Sequence, residues 1–155
     1  MKYITHSEKE TMALAGRLSR ALRAGDSVLL SGDLGAGKSV FARGVARGMG
    51  VEGAMPSPTF TLLIPYAGAR MKLYHYDLYR LNDPDEFYEA GLDEFIGGDG
   101  VALIEWPEMA GIDPRPALRV TIRRAGADDD AREIEIDGDA APGWAEALAE
   151  WRMEN

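Results

Sequence analysis

The run Gly32-Asp33-Leu34-Gly35-Ala36-Gly37-Lys38-Ser39 fills every fixed position of the pattern G-x-x-x-x-G-K-[ST]. Glycines let such a loop curl until successive N–H groups face one point, and a helix that follows adds the positive end of its dipole. The Lys38 ammonium then suits the outer phosphates of a nucleoside triphosphate, and the Ser39 hydroxyl suits the magnesium ion that accompanies it. Val40 continues the motif into the first helical turn. A magnesium site also needs an acid at the end of a neighbouring strand. Glu105 closes the apolar run Val101-Ala102-Leu103-Ile104 and either holds the ion, directly or through water, or is only the polar end of a core strand. Asp77 closes the run from Met71 to Tyr76 and either orients water or a metal-bound water near the last phosphate or caps the turn before Leu78.

Residues that are missing narrow the chemistry. The chain has no Gln to orient attacking water, and its asparagines are Asn82 and Asn155, neither in the N-K-x-D guanine reader, so ATP is favoured over GTP. Arg123, Arg124 and Arg132 are scattered among β-like runs and form no lid of the kind nucleotide kinases carry. Without Cys there are no disulfides, thiolate nucleophiles or Cys-based zinc sites, and His6 and His75 are too few for a His-rich metal centre.

A loop of this kind works only between a buried strand and a helix, and the flanks read that way. Ser27-Val28-Leu29-Leu30-Ser31 is apolar enough for a strand covered on both faces. From Lys38 the period is helical through Phe41, Val45 and Met49, with Gly50 as the stop. Upstream, Ser7 and Glu10 form a capping box, and Leu14, Leu18 and Leu22 continue a first helix until Gly25. Thr59 to Tyr66 and Met71 to Asp77 read as a hairpin across 67–70. Asp83, Pro84, Asp85 and Glu86 start a helix expected to reach Ala90. Ala117 to Arg124 and Arg132 to Asp137 read as a second hairpin across the acidic turn 128–130, and Trp144, Leu148 and Trp151 mark a last helix. The expectation is an α/β fold: a single P-loop NTPase domain over 1–155 with a mixed central sheet flanked by helices.

The 155 residues carry 17 basic and 26 acidic side chains, a net charge of −9, which argues against stand-alone binding to nucleic acid. The first residues lack the apolar core of a signal peptide, and no apolar run approaches the roughly 18 residues of a membrane helix. A cytoplasmic protein with no membrane partner is expected.

Four stretches, Gly32 to Ser39, Ser57-Pro58-Thr59-Phe60, His75-Tyr76-Asp77-Leu78-Tyr79-Arg80 and Ile104-Glu105-Trp106-Pro107, resemble in order and spacing the bacterial TsaE (YjeE-like) ATPases. The resemblance runs from the first helix to about Pro107. It implies a weak ATPase that supports the complex forming threonylcarbamoyladenosine in tRNA, with TsaB-like and TsaD-like partners carrying the transfer chemistry and tRNA met only indirectly. It further implies phosphate and magnesium binding by Lys38 and Ser39, a second magnesium ligand in Glu105, a hydrolytic role for Asp77 and a γ-phosphate sensor in Thr59. A family arginine near the last hairpin contacts nucleotide; Arg132 is the candidate, beside the acidic run Asp128-Asp129-Asp130. The segment from Thr5 to Glu8 is expected to border the adenine. His75 reads as a polar residue on an exposed strand face, and Tyr74, Tyr76 and Tyr79 as packing. A P-loop kinase of a small molecule and a non-catalytic nucleotide-gated adaptor remain as rival readings.

Overall fold

The first helix begins where its capping chemistry requires. The Ser7 side chain accepts from the Glu10 N–H at 3.1 Å, and Glu10 Oε1 accepts from the His6 N–H at 3.1 Å, a reciprocal box displaced by one residue. This helix, α1, runs Glu8–Ser19 and turns Leu14 and Leu18 into the core. It ends before the expected Gly25, because the N–H groups of Arg20, Ala21 and Leu22 donate three residues back in a tighter turn, although Leu22 stays buried. The computed structural model describes residues 1–58 and 60–154, the side chains of 152–154 excepted.

Around α1 the order is β1 (Lys2–Thr5), β2 (Ser27–Ser31), α2 (Lys38–Gly48), β3 (Leu63–Ala67), β4 (Lys72–Asp77), α3 (Pro84–Glu89), β5 (Gly100–Glu105), β6 (Ala117–Arg124), β7 (Arg132–Gly138), α4 (Trp144–Ala147) and α5 (Ala149–Glu154). The strands form one sheet in the order β1-β7-β6-β2-β5-β4-β3. The central four, β6, β2, β5 and β4, are parallel, and antiparallel pairs close both sides. This is the mixed α/β architecture of a P-loop NTPase. Among the described residues no helix is long and apolar enough to cross a membrane.

Both faces of the sheet are covered, which explains the unbroken apolar runs of β2 and β5. Val28, Leu30, Leu103, Leu118 and Val120 pack with Leu14, Leu18, Phe41 and Val45 of α1 and α2. Leu29, Tyr76 and Ile104 face the other way, onto Phe87 of α3 and Leu78, Leu81 and Leu92.

Three further points differ from the sequence reading. The hairpin strand expected from Thr59 begins at Leu63: residues before it turn, with Leu62 at φ 66° and its N–H donating to the Pro58 carbonyl at 2.8 Å. The last helix is broken at Leu148 into α4 and α5. The edge strand β1 was not anticipated, since four residues carry little periodicity; it exists by pairing with β7, Tyr3 opposite Ile134.

Helices α1 and α2 cross at glycines. A Cβ on Gly44 would stand 2.6 Å from the Met12 carbonyl oxygen, and one on Gly48 would stand 2.8 Å from that of Gly16. Glycine is unfavourable inside a helix, so close approach of the two backbones is its reason here. We therefore expect Gly44→Ala to destabilise the protein by about 1–3 kcal/mol despite alanine's better helix propensity. A lowered denaturant midpoint at unchanged slope would show it; a raised midpoint would mean that the crossing relaxes freely.

Candidate functional site

Strand β2 ends at Ser31, and the chain must then turn tightly into α2. Gly32, Gly35 and Gly37 do so at φ 151°, 78° and 113°, values that side-chain-bearing residues resist. At Gly32 space forbids a side chain as well, because a Cβ would lie 2.6 Å from the Ile122 carbonyl oxygen of β6. Ala36 is buried and its N–H donates to the Asp33 carbonyl at 3.0 Å, while Asp33 and Leu34 face outward. Gly37 caps α2 without a side-chain hydrogen bond, and the first turn carries no acid. A helix N-terminus of that kind has N–H groups and dipole to offer an anion.

Lys38 opens α2 and is buried. Its Nζ donates to the carbonyls of Gly32 and Asp33 and lies 4.3 Å from the centre of the Trp106 ring. Burial pulls its pKa below the ordinary lysine value, and Glu105, Glu108, Asp33 and Asp77 pull it partly back. Ser39 is exposed on the same cleft, and Val40 is buried behind it.

Asp77 and Glu105 end the adjacent parallel strands β4 and β5 in direct register. Both are buried. Asp77 Oδ1 accepts from the Tyr79 N–H at 3.1 Å, so it does close a turn, yet it also lines the cleft. The turn reading and the site reading are therefore compatible. Trp106 follows at φ 59°, a left-handed conformation that places its ring over Lys38 and 4.9 Å from the ring of Tyr79.

His75 is not on an exposed face. It is buried, and its Nε2 lies 2.8 Å from Glu105 Oε2, with side-chain exposures of 6% and 9%. An ionised carboxylate only accepts, so Nε2 donates. Residues two apart on a strand share a face; His75 and Asp77 therefore look toward the layer of α1 and α2 together. That spacing was the available signal for His75.

The cleft of about 510 Å³ thus brings together Gly35, Gly37, Lys38, Ser39, His75, Asp77, Glu105 and Trp106, with Arg43 and Arg80 on its wall. Arg43 belongs to no motif weighed above, and Arg80, which closes the stretch from His75, was given no role there. Arg80 lies over the exposed Phe60 ring, 4.5 Å from its centre. Thr59 lies outside the described residues, while its neighbour Ser57 lines the cleft.

Arg132 stands on the other side of the same loop. From the start of β7 its Nε donates to the Ala36 carbonyl at 2.7 Å, and its guanidinium also reaches the carbonyls of Asp129 and Ala131. It braces the loop there and lines a smaller cleft of about 170 Å³ with Glu8, Thr11 and Val40, which shares Gly35, Gly37 and Ser39 with the first. Thr5 is buried and bonds Thr11 at 2.7 Å.

Among the described residues no group of three or more His, Cys, Asp or Glu side chains could cage a metal. Magnesium rarely needs one: it keeps waters and takes phosphate oxygens alongside one or two protein oxygens. The Ser39 hydroxyl and Glu105 carboxylate, on one cleft with a glycine cradle, fit that donor set.

The family described as "Threonylcarbamoyl adenosine biosynthesis protein TsaE" matches residues 5–134. The chain is 42% identical over 135 residues to the "tRNA threonylcarbamoyladenosine biosynthesis protein TsaE" of Bacillus subtilis, covering 86% of this chain and 83% of that one. It is 39% identical over 136 residues to the protein of the same name from Treponema pallidum, covering 88% and 99%. Its structure is similar to the crystal structure of Bacillus subtilis YdiB, with a TM-score of 0.77, 35% identity and coverage of 100% of this chain and 96% of that one.

The brace on the loop can be tested without any ligand. Arg132→Ala leaves the carbonyl of buried Ala36 without its side-chain donor, and we expect a loss of about 1–3 kcal/mol. Hydrogen exchange should accelerate at the amides of residues 35–37 more than in β2 or β5. Uniform acceleration throughout would make Arg132 a general stabiliser with no particular hold on the loop.

Proposed function

The chain belongs to the TsaE family of tRNA threonylcarbamoyladenosine biosynthesis proteins, and from that premise we propose that it is a magnesium-dependent ATPase that works slowly alone. What carries the reading is one juxtaposition: the paired carboxylates Asp77 and Glu105 share a cleft with Lys38 and Ser39 of the glycine loop. A strand-end acid facing a P-loop is the arrangement phosphoryl chemistry needs.

Each group has a task that its position permits. Loop N–H groups and the α2 N-terminus bind the phosphates, and Lys38 turns from its two loop carbonyls to the phosphate oxygens. Ser39 and Glu105 would hold magnesium, which when bound neutralises charge on those oxygens. Asp77 orients a water and takes its proton, a role its buried carboxylate suits. Trp106 and Tyr79 wall the cleft against bulk solvent. No glutamine is present to position water. The site is thus incomplete by itself, and docking on TsaB-like and TsaD-like partners in the cytoplasm completes it. With a net charge of −9 the chain meets tRNA only through those partners.

Phosphate release should be slow for the isolated protein and should change when the partners are added. A fast rate indifferent to partners would sink partner dependence, and a labelled small-molecule acceptor would return the kinase reading. Three substitutions separate the tasks. Lys38→Ala should remove nucleotide binding, whereas Asp77→Asn should keep it and lose about 100-fold or more in turnover. Glu105→Gln should raise the magnesium needed for turnover and leave magnesium-free nucleotide binding near wild type. Emission of Trp106, which lies against Lys38, reports binding in each variant. If Asp77→Asn weakens binding and turnover equally, Asp77 is structural.

A further inference from the structure

The contact between His75 and Glu105 has no place in the roles assigned above. Both side chains are buried, on neighbouring strands and 30 residues apart in sequence, and Nε2 to Oε2 is 2.8 Å. The register sets Glu105 beside Asp77 and His75 beside Leu103. Glu105 therefore reaches back along β5 to meet the histidine. Like charges directly opposite each other on paired strands are unfavourable, and this bond draws the Glu105 carboxylate away from Asp77. It also satisfies Oε2 and leaves Oε1 without the histidine.

The other ring nitrogen argues for a specific task. Among the described residues, the buried His75 Nδ1 has no hydrogen-bond partner. An unsatisfied buried polar atom costs stability, and an apolar side chain in the same slot between β3 and β5 would avoid that cost. What the imidazole supplies and an apolar residue cannot is the donor to Glu105. Ligands of a metal are commonly oriented by such outer partners, whose loss weakens the metal about 10–100-fold.

We propose that His75 is a positioning residue, which holds Glu105 in the one orientation that presents its other oxygen, Oε1, to the magnesium side of the cleft. The proposal rests on the reading of Glu105 as a magnesium ligand. Remove the donor, and Glu105 can turn among its rotamers or swing against Asp77, so metal binding weakens while the phosphate cradle is untouched.

The test uses Mn²⁺ as a magnetic probe, titrated by electron paramagnetic resonance into the full chain with ADP present, alongside ADP affinity without metal. His75→Gln can place its amide nitrogen near the position of Nε2, whereas His75→Asn places it near Nδ1, out of reach of Glu105. We expect His75→Asn and His75→Leu to weaken Mn²⁺ about 10-fold or more, His75→Gln to stay within about 3-fold of wild type, and ADP affinity without metal to be unchanged in all. Nitrogen NMR of the wild type should find the proton on Nε2. Equal weakening in Gln and Asn variants, or none in either, overturns the positioning role. Should His75→Leu fail to fold, the comparison of Gln with Asn still decides. Glu105→Gln separates the two levels: if it weakens Mn²⁺ and the His75 variants do not, only the positioning idea fails, and if it has no effect the magnesium reading fails with it.

Discussion

A buried ammonium group is the constraint on which the cleft depends. Lys38 stands at the positive end of α2 and is removed from water, two conditions that oppose its charge. The surroundings compensate: two loop carbonyls accept from it, the Trp106 ring lies 4.3 Å away, and Asp77 and Glu105 attract it. The compensation is mutual. Asp77 and Glu105 are like charges in register on paired strands, an arrangement that needs a nearby cation and a donor such as His75. The groups of the cleft are therefore interdependent, and three elements place them: the start of α2 and the ends of β4 and β5.

Those elements meet because of strand order. With β2 between β5 and β6, and β4 beyond β5, the carboxyl ends at Ser31, Asp77 and Glu105 lie along one edge of the parallel sheet. Ligand crevices of open α/β sheets form at that edge. Close packing then fixes the loop within it. The glycine crossing holds α2 against α1, the missing side chain of Gly32 lets the loop lie against β6, and Arg132 ties Ala36 to β7. Rigid support of this kind lets N–H groups keep one geometry toward a ligand. For a site that we read as waiting on partners, it confines the missing part to the open wall where Arg43, Arg80 and Ser57 stand.

Much of this was legible in the chain itself. The glycine loop, β2 at Ser27–Ser31, α2 from Lys38, the caps at Ser7 and Asp83 and the acid ending β5 all follow from local rules: positive φ, helical period, capping and runs buried on both faces. Each rule acts over a few residues, which is why a sequence can express it. The loop's neighbours in space were another matter. His75 looked exposed because a lone polar residue in a short strand says nothing of what covers it. Its proximity to Asp77 at the two-residue period was the one local clue to a shared face.

Sequence by itself determined which groups are on offer, because the glycines, lysine and hydroxyl of the loop follow one another locally and the acids end apolar runs where strands must end. Tertiary structure alone decided which groups meet. The existence of β1 depends on β7, the partner of Glu105 lies 30 residues away, and the brace on Ala36 comes from Arg132, 96 residues along the chain. Such contacts depend on strand register and helix approach, which are settled by packing over the whole sheet, and no local pattern of residues encodes them.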